Sequence, residues 1–210
     1  MPISFLKNDK DFQLGIWRME EPLDDLLKMI QLSSNDLKTL GNFKSEYRKR
    51  EWIAVRIVTK QLLNIPEVSI VYEENGKPRL ADSDFSISIS HTKNFVSVLL
   101  SKYKNAGIDI ETIQPRIEKI AKRFVTKQEE LFIEPDKKII YQHVIWGTKE
   151  VLFKIYSKGE LNFLDHLHVE KFQLEEKGEL VGRIEKENFK KSLKVFYELT
   201  GDKMLVYSMS

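Results

Sequence analysis

Phe85, Ile87 and Ile89 alternate with Ser86, Ser88 and Ser90. A period of two belongs to a strand with one apolar face and cannot be served by a helix. A second strand pattern, residues 95–100, follows after a short polar loop. Another, residues 68–72, precedes it, set off by the turn Glu74-Asn75-Gly76-Lys77-Pro78. Connections this short suit antiparallel neighbours.

Helical periods frame this group of strands. After a strand at 12–19, Leu23, Leu26, Leu27 and Ile30 are spaced for a short helix over 22–32. Residues 45–64 read as a longer helix, ended by Asn64-Ile65-Pro66. Tyr47, Ala54, Ile57, Val58 and Leu62 give it a buried stripe, and Arg48, Lys49, Arg50, Arg56 and Lys60 a basic remainder. A strand at 107–111 follows, then two or three helices over 117–157, with Ile117, Ile120, Ala121 and Phe124 as a core stripe. The rest is strand-like at 167–174, 180–185, 193–199 and 203–208, the last two joined by a hairpin at Thr200-Gly201-Asp202-Lys203.

The order strand, helices, antiparallel strands thus occurs twice, about ninety residues apart, with Gly15-Ile16-Trp17 standing where Gly107-Ile108-Asp109 stands later. The expected fold is α+β. Its two similar halves, 1–103 and 104–210, form a pseudo-dimer, each a small antiparallel sheet packed with a long helix. A cleft is expected between them, with acidic ligands on the second half only.

Composition narrows the functions open to such a fold. Thirty-four basic residues against 32 acidic ones leave a net charge of +2, which favours neither a nucleic-acid nor a membrane partner. No nucleic-acid motif accompanies the basic helix at 48–56. Cys is absent, so disulfides and thiolate metal sites are excluded and a reducing cytoplasm is the expected setting. The start lacks the apolar run of a signal peptide, and no window approaches the length of a membrane span.

The chemistry concentrates in two segments. In Gly107-Ile108-Asp109-Ile110-Glu111, strand alternation sends Ile108 and Ile110 to the core and Asp109 and Glu111 together to the other face. Two carboxylates on one face repel unless a cation lies between them, and hard oxygen donors suit Mg²⁺ with phosphate completing its shell. Taken alone, the pair also reads as a solvated acidic edge. In Trp146-Gly147-Thr148-Lys149-Glu150-Val151-Leu152-Phe153-Lys154, Glu150 and Lys154 share one helix face, opposite apolar Ile145, Leu152 and Ile155. They suit a metal and a phosphate, or equally an ordinary surface ion pair. His166 and His168 have no evident third ligand and read as structural.

The combination resembles a known family. Gly-Ile-Asp-Ile-Glu followed about forty residues later by Trp-x-x-Lys-Glu-x-x-x-Lys is similar to the signature of the 4′-phosphopantetheinyl transferases. The chain's size resembles their two-lobed, monomeric branch, which includes the surfactin-synthetase-activating enzyme. Asn75-Gly76-Lys77-Pro78, Ile87-Ser88-Ile89-Ser90-His91 and the basic helix at 48–56 resemble further blocks, in the family's order over residues 45–160. Gly147-Thr148 stands where the family often has Trp-Ser or Trp-Thr before the variable residue, a departure costing about 1 kcal/mol of helix propensity at the glycine.

The resemblance implies a Mg²⁺-dependent cytoplasmic enzyme, monomeric with an internal pseudo-two-fold. It would move the phosphopantetheine of coenzyme A to a serine of an apo acyl or peptidyl carrier protein and release 3′,5′-ADP. It implies that Asp109, Glu111 and Glu150 hold the metal and that Lys154 stabilises the leaving group, with Lys158 a further phosphate candidate. His91, with Ser90 nearby, would meet a phosphate of coenzyme A, and Lys77 with Arg48 or Arg50 the 3′-phosphate, Arg48 being preferred from its spacing to Arg56. Glu129 is open between two roles, general base for the carrier serine and the closing residue of the capping box Thr126-x-x-Glu129; a metal-bound water is the alternative base. A module of the same fold that binds coenzyme A or a carrier without chemistry is the competing reading.

Overall fold

The structure, a computed structural model, describes residues 3–210. Strands β1 (Ile3–Asn8) and β2 (Phe12–Arg18) lead into helices α1 (Leu23–Lys28), α2 (Ser34–Asn42) and α3 (Glu46–Leu63). Strands β3 (Ile70–Tyr72), β4 (Pro78–Leu80), β5 (Ser86–Thr92), β6 (Phe95–Ser101) and β7 (Ala106–Thr112) come next. Short 3₁₀ turns and α4 (Lys127–Glu130) precede the long α5 (Lys138–Tyr156), and β8 (Leu167–Val169), β9 (Lys177–Lys186), β10 (Phe189–Thr200) and β11 (Lys203–Met209) complete the chain. Among the described residues the fold is α+β, with five α-helices and antiparallel sheets. One sheet runs β1-β2-β6-β5, a second β7-β11-β10-β9-β8, and β3 pairs with β4. Helix α3 packs on β2 and β6, and α5 on β7 and β11.

Local chemistry explains the long helices. Ser45 caps α3, its side chain accepting from the Arg48 N–H, and Asn64 ends it in the left-handed region at φ 52°. The middle of α3 is buried almost all round, so the basic face expected from sequence is smaller than its arginines suggest. Arg56 is enclosed, with Nε on Asp36 at 3.2 Å, Nη2 on the Ile70 carbonyl and its guanidinium over the Trp52 ring. Tyr47, expected in the buried stripe, is partly exposed, and its hydroxyl accepts from the Asn94 N–H.

The region from 115 to 137 is less helical than its periodicity suggests. Two 3₁₀ turns, Pro115–Lys119 and Ala121–Arg123, replace a continuous helix, yet Ile117, Ala121 and Phe124 are still buried. The expected strand at 167–174 stops at Val169, and His166 falls in the preceding turn, its Nδ1 accepting from the Asn162 N–H. Strand β1 and helix α2 are additions to the elements expected from sequence.

Two contacts set the geometry that matters for function. A Cβ added to Gly107 on β7 would lie 2.7 Å from the Val151 carbonyl oxygen, and one added to Gly147 on α5 would lie 2.6 Å from Met204 Cε and 2.9 Å from Val206 Cγ2 on β11. The helix rests directly on the sheet because neither residue has a side chain there. The glycine at 147 is therefore a packing requirement that outweighs its helix cost.

The second contact joins the two large sheets at β5 and β7. Ser88 Oγ accepts from the Ile108 N–H at 3.1 Å and Ser90 Oγ from the Ile110 N–H at 3.2 Å, while Thr92 and Thr112 meet through their hydroxyls at 3.4 Å. The polar face of the alternating strand is thus a buried seam, with Ser88 and Ser90 both enclosed. On the other face of β7, Ile108 and Ile110 pack with Leu14, Leu99, Leu205 and Tyr207 between the sheets.

Gly107→Ala should lower stability by about 1–3 kcal/mol, because backbone must move to admit the methyl. Gly41→Ala, on α2 with nothing within 4 Å of the new Cβ, should be neutral or stabilising by up to about 1 kcal/mol. Urea melts of both variants check the contrast; equal midpoints would refute the close-packing account.

Candidate active site

Gly107, Asp109 and Glu111 share the face of β7 that α5 covers, since alternation places all three on the side where a Gly107 Cβ would strike Val151. From α5, Lys154 reaches down to this strand. Its Nζ donates to the Ile108 carbonyl at 2.7 Å and to Asp109 Oδ1 at 2.9 Å. Lys154 thus pairs across to the strand, and the surface pair with Glu150 allowed by sequence is not what forms. Asp109 Oδ1 also accepts from Ser90 Oγ at 2.9 Å. Asp109 is 4% exposed, and its Oδ2 is buried without a hydrogen-bond partner.

The neighbouring carboxylates are destabilised as anions. Burial, then the negative charges of Asp109 and Glu111, pushes the Glu150 carboxyl up to about 7 against the pull of Lys154. Burial and Asp109 also raise Glu111, opposed by a hydrogen bond from Trp146 and by the charges of Arg116 and Lys154. Beneath them His143, which sequence reading passed over, is buried and lowered by that burial, its Nε2 accepting from the Gln114 N–H at 3.0 Å. Among the described residues no group of three or more His, Asp or Glu is preassembled as a metal cage. The donor chemistry nonetheless suits a hard cation. A buried carboxylate oxygen lacks a partner, and two further carboxylates would be relieved by positive charge.

A cleft of about 280 Å³ opens at Lys154. Arg48, Glu51 and Trp52 of α3, Lys77 in the β3–β4 turn, His91 of β5 and Lys154 of α5 line it together, so residues 106 positions apart in sequence share one cavity (48 to 154). The turn is tied across the cleft to the end of α5. Asn75 Nδ2 donates to the Ser157 carbonyl at 2.7 Å, and Lys77 Nζ reaches Ser157 Oγ at 3.3 Å. Glu51 is a further residue that sequence reading missed. It is 5% exposed, with Oε2 on Arg48 Nη1 at 2.9 Å and Oε1 on His91 Nδ1 at 3.1 Å. Burial opposes its charge, but His91 and Arg48 outweigh that and hold its carboxyl below the usual range. The Arg48-x-x-Glu51 spacing was the available signal, since residues three apart on a helix meet.

Other expected site residues do not line the cleft. Arg50 turns away from the cleft, its Nη2 on the Met19 carbonyl at 3.1 Å. Lys158 sits over the Phe189 ring. Ser90 is spent in the seam and on Asp109 and does not line the cleft. Glu129 is enclosed in the C-terminal core, where it completes the capping box with Thr126. Its Oε2 meets the Thr126 N–H and Lys149 Nζ at 2.8 and 2.9 Å, and its Oε1 meets the Val169 N–H at 2.9 Å.

A pH signature follows from Glu150. Its folded-state carboxyl binds a proton that the unfolded chain, titrating near 4.5, releases. Stability attributable to Glu150 therefore falls as pH rises from about 4.5 through 7. Glu150→Gln, measured in EDTA, should raise Tm at pH 8 by about 2–4 °C and leave it nearly unchanged at pH 5. An equal change at both values would show that charge at this carboxyl is not opposed by its surroundings.

Comparison with known proteins bears on the same half of the chain. The family model of the 4′-phosphopantetheinyl transferase superfamily matches residues 105–204. The 4′-phosphopantetheinyl transferase AcpT of Salmonella typhi is 30% identical over 113 residues, covering 51% of this chain and 58% of that protein. A 4′-phosphopantetheinyl transferase of Bacillus subtilis is 33% identical over 96 residues, 44% of this chain and 42% of its own length. The 4′-phosphopantetheinyl transferase psf-1 of Bacillus pumilus is 29% identical over 113 residues, 51% and 48% of the two chains. The matched stretches span only about half the length of these relatives. Asp109, Glu111, Glu150 and Lys154 all fall inside the matched residues. Residues 105–204, just under half of the chain, are thus similar to the 4′-phosphopantetheinyl transferase superfamily.

Proposed function

We propose that this protein transfers the 4′-phosphopantetheine of coenzyme A to a serine hydroxyl of an apo acyl or peptidyl carrier protein. The observation that carries the reading is a cleft lined by the cations Arg48, Lys77 and Lys154 together with His91, and joined through Lys154 to Asp109, one of three neighbouring carboxylates. That juxtaposition suits a ligand whose phosphates must be held and charge-compensated at once.

In this reading the serine oxygen forms a bond to the phosphorus bearing the pantetheine arm, and the bond from that phosphorus to the bridging oxygen breaks. The electron pair leaves with 3′,5′-ADP. Lys154, already 2.9 Å from Asp109, faces the cleft and stabilises charge on the departing phosphate. Lys77 and Arg48 hold the nucleotide end, Arg48 being favoured over Arg50 by its place in the cleft. Asp109, Glu111 and Glu150 would hold Mg²⁺, which when bound polarises the phosphorus centre and neutralises leaving-group charge. The serine proton passes to a base other than Glu129, whose two oxygens are already engaged by three donors.

The division at 1–103 and 104–210 has a functional sense here, with nucleotide contacts on the first half and metal ligands on the second. The likeness of the two sheet-plus-helix units supports a pseudo-dimeric, monomeric enzyme resembling the surfactin-synthetase-activating branch, acting in the cytoplasm. A second reading, coenzyme A binding without transfer, is supported by the engagement of Asp109 by Lys154 and by the lack of a preassembled cage.

Intact-mass measurement of several apo carriers incubated with coenzyme A and Mg²⁺ tests the reading. The expected result is a gain of one phosphopantetheine, lost with EDTA and reduced about a hundredfold or more in Asp109→Ala and Glu150→Ala. Wild-type rates in both variants would overturn the metal assignment, and binding of coenzyme A with no mass gain on any carrier would favour the binding module.

A further inference from the structure

A carboxylate buried behind a phosphate-binding cleft works against the anion the cleft is meant to hold, so Glu51 needs a reason. Its contacts supply one. Arg48 Nη1 lies 2.9 Å from both Glu51 Oε2 and His91 Nε2, and Glu51 Oε1 lies 3.1 Å from His91 Nδ1. Guanidinium can only donate, so His91 Nε2 must accept from it. The proton of the imidazole is then on Nδ1, donated to Glu51. In this closed triangle His91 is neutral and its cleft-facing nitrogen is taken by Arg48.

A phosphate entering the cleft changes the partners. Both Arg48 and His91 line the cavity and both are partly exposed, whereas Glu51 is fixed within α3 with its side chain 6% exposed. Phosphate oxygens are acceptors, so when Arg48 turns to them His91 Nε2 loses its donor and faces another acceptor. It can join only by taking up a proton.

We propose, resting on the coenzyme A reading above, that Glu51 is a positioning residue that couples phosphate binding to protonation of His91. It orients the imidazole through Nδ1 and stabilises the imidazolium once Nε2 takes a proton from solvent. No other bond is made or broken. The titratable and charged groups facing His91 are Arg48 and Glu51 from α3, Tyr72 and Lys77 from the β3–β4 hairpin, and Lys154 from α5. Only Glu51 among them is an anion at neutral pH, so it alone can balance the new charge before the ligand arrives. An imidazole is the side chain whose charge state is most readily moved at this pH.

Titration calorimetry of coenzyme A into the full chain tests this in EDTA at pH 7.5–8, with buffers of different ionisation enthalpy. In this range the ligand's own phosphates are already ionised. The wild type should take up between about 0.5 and 1 proton per coenzyme A bound. His91→Asn should abolish that uptake. Glu51→Gln, which cannot accept from Arg48 and His91 in the same way, should abolish most of it and weaken binding about tenfold, with the penalty shrinking toward pH 6. Glu51→Asp should restore part of the uptake. Binding with no His91-dependent uptake, or a folded Glu51→Gln that matches the wild type, would overturn the proposal while leaving the coenzyme A reading intact. Absence of coenzyme A binding by the wild type would remove both. If Glu51→Gln fails to fold, the His91→Asn result decides alone, since His91 is surface-accessible.

Discussion

The Val151 carbonyl oxygen and the Gly107 Cα approach so closely that a methyl group would sit 2.7 Å from the oxygen, and the site depends on that approach. A helix of ordinary interaxial distance would hold Glu150 and Lys154 farther from β7. Because α5 lies flat on β7 and β11, Lys154 Nζ reaches both a strand carbonyl and Asp109. The same closeness crowds Asp109, Glu111 and Glu150 into one partly dry volume. Two glycines on facing elements, Gly107 and Gly147, permit it. The apolar cluster around Val144, Val151, Leu152 and Ile155 holds the helix down.

The seam between β5 and β7 fixes the other side of the site. A pair of strands normally joins through backbone N–H and carbonyl groups. Here serine oxygens take the carbonyls' place, accepting from Ile108 and Ile110. Each such bond contributes only about 1 kcal/mol net, but leaving a buried N–H unpaired would cost more. Ser90 has a second task, since its hydroxyl donates to Asp109 Oδ1. With Oδ1 occupied by Ser90 and Lys154, Oδ2 is the oxygen left without a hydrogen-bond partner. The seam therefore joins the sheets and also orients the carboxylate.

Charge is arranged in two opposed clusters that meet at Lys154. On one side are three carboxylates, two of them raised by burial and by each other. On the other are Arg48, Lys77 and His91, steadied by Glu51. Glu129 and Lys149 form a separate buried pair deeper in the second half. Burial lowers Lys149 while Glu129 supports its charge, and two backbone carbonyls complete its donors. That pair ties the 124–129 segment to β8 and the turn before it. Its satisfaction is what makes burial of both charges tolerable.

Sequence alone settled the strand at β5 from its period of two, the long helix α3 from its apolar stripe and its end, and the acidic pair on one face of β7 from alternation. These are local rules, and a dozen residues suffice to express them. The motif order through residues 45–160 also led to the superfamily that the second half matches. Tertiary structure decided what no local rule contains. It turned the serine face of β5 from solvent to seam, enclosed Arg56 that periodicity had placed on a basic surface, and sent Arg50 and Lys158 away from the cleft. It also paired Lys154 with Asp109, 45 residues away, and set Glu51 behind Arg48 and His91. The reason is the same in each case. Hydrophobic period fixes which face of an element is buried, but the partner of a buried polar group depends on which other element packs there and how closely.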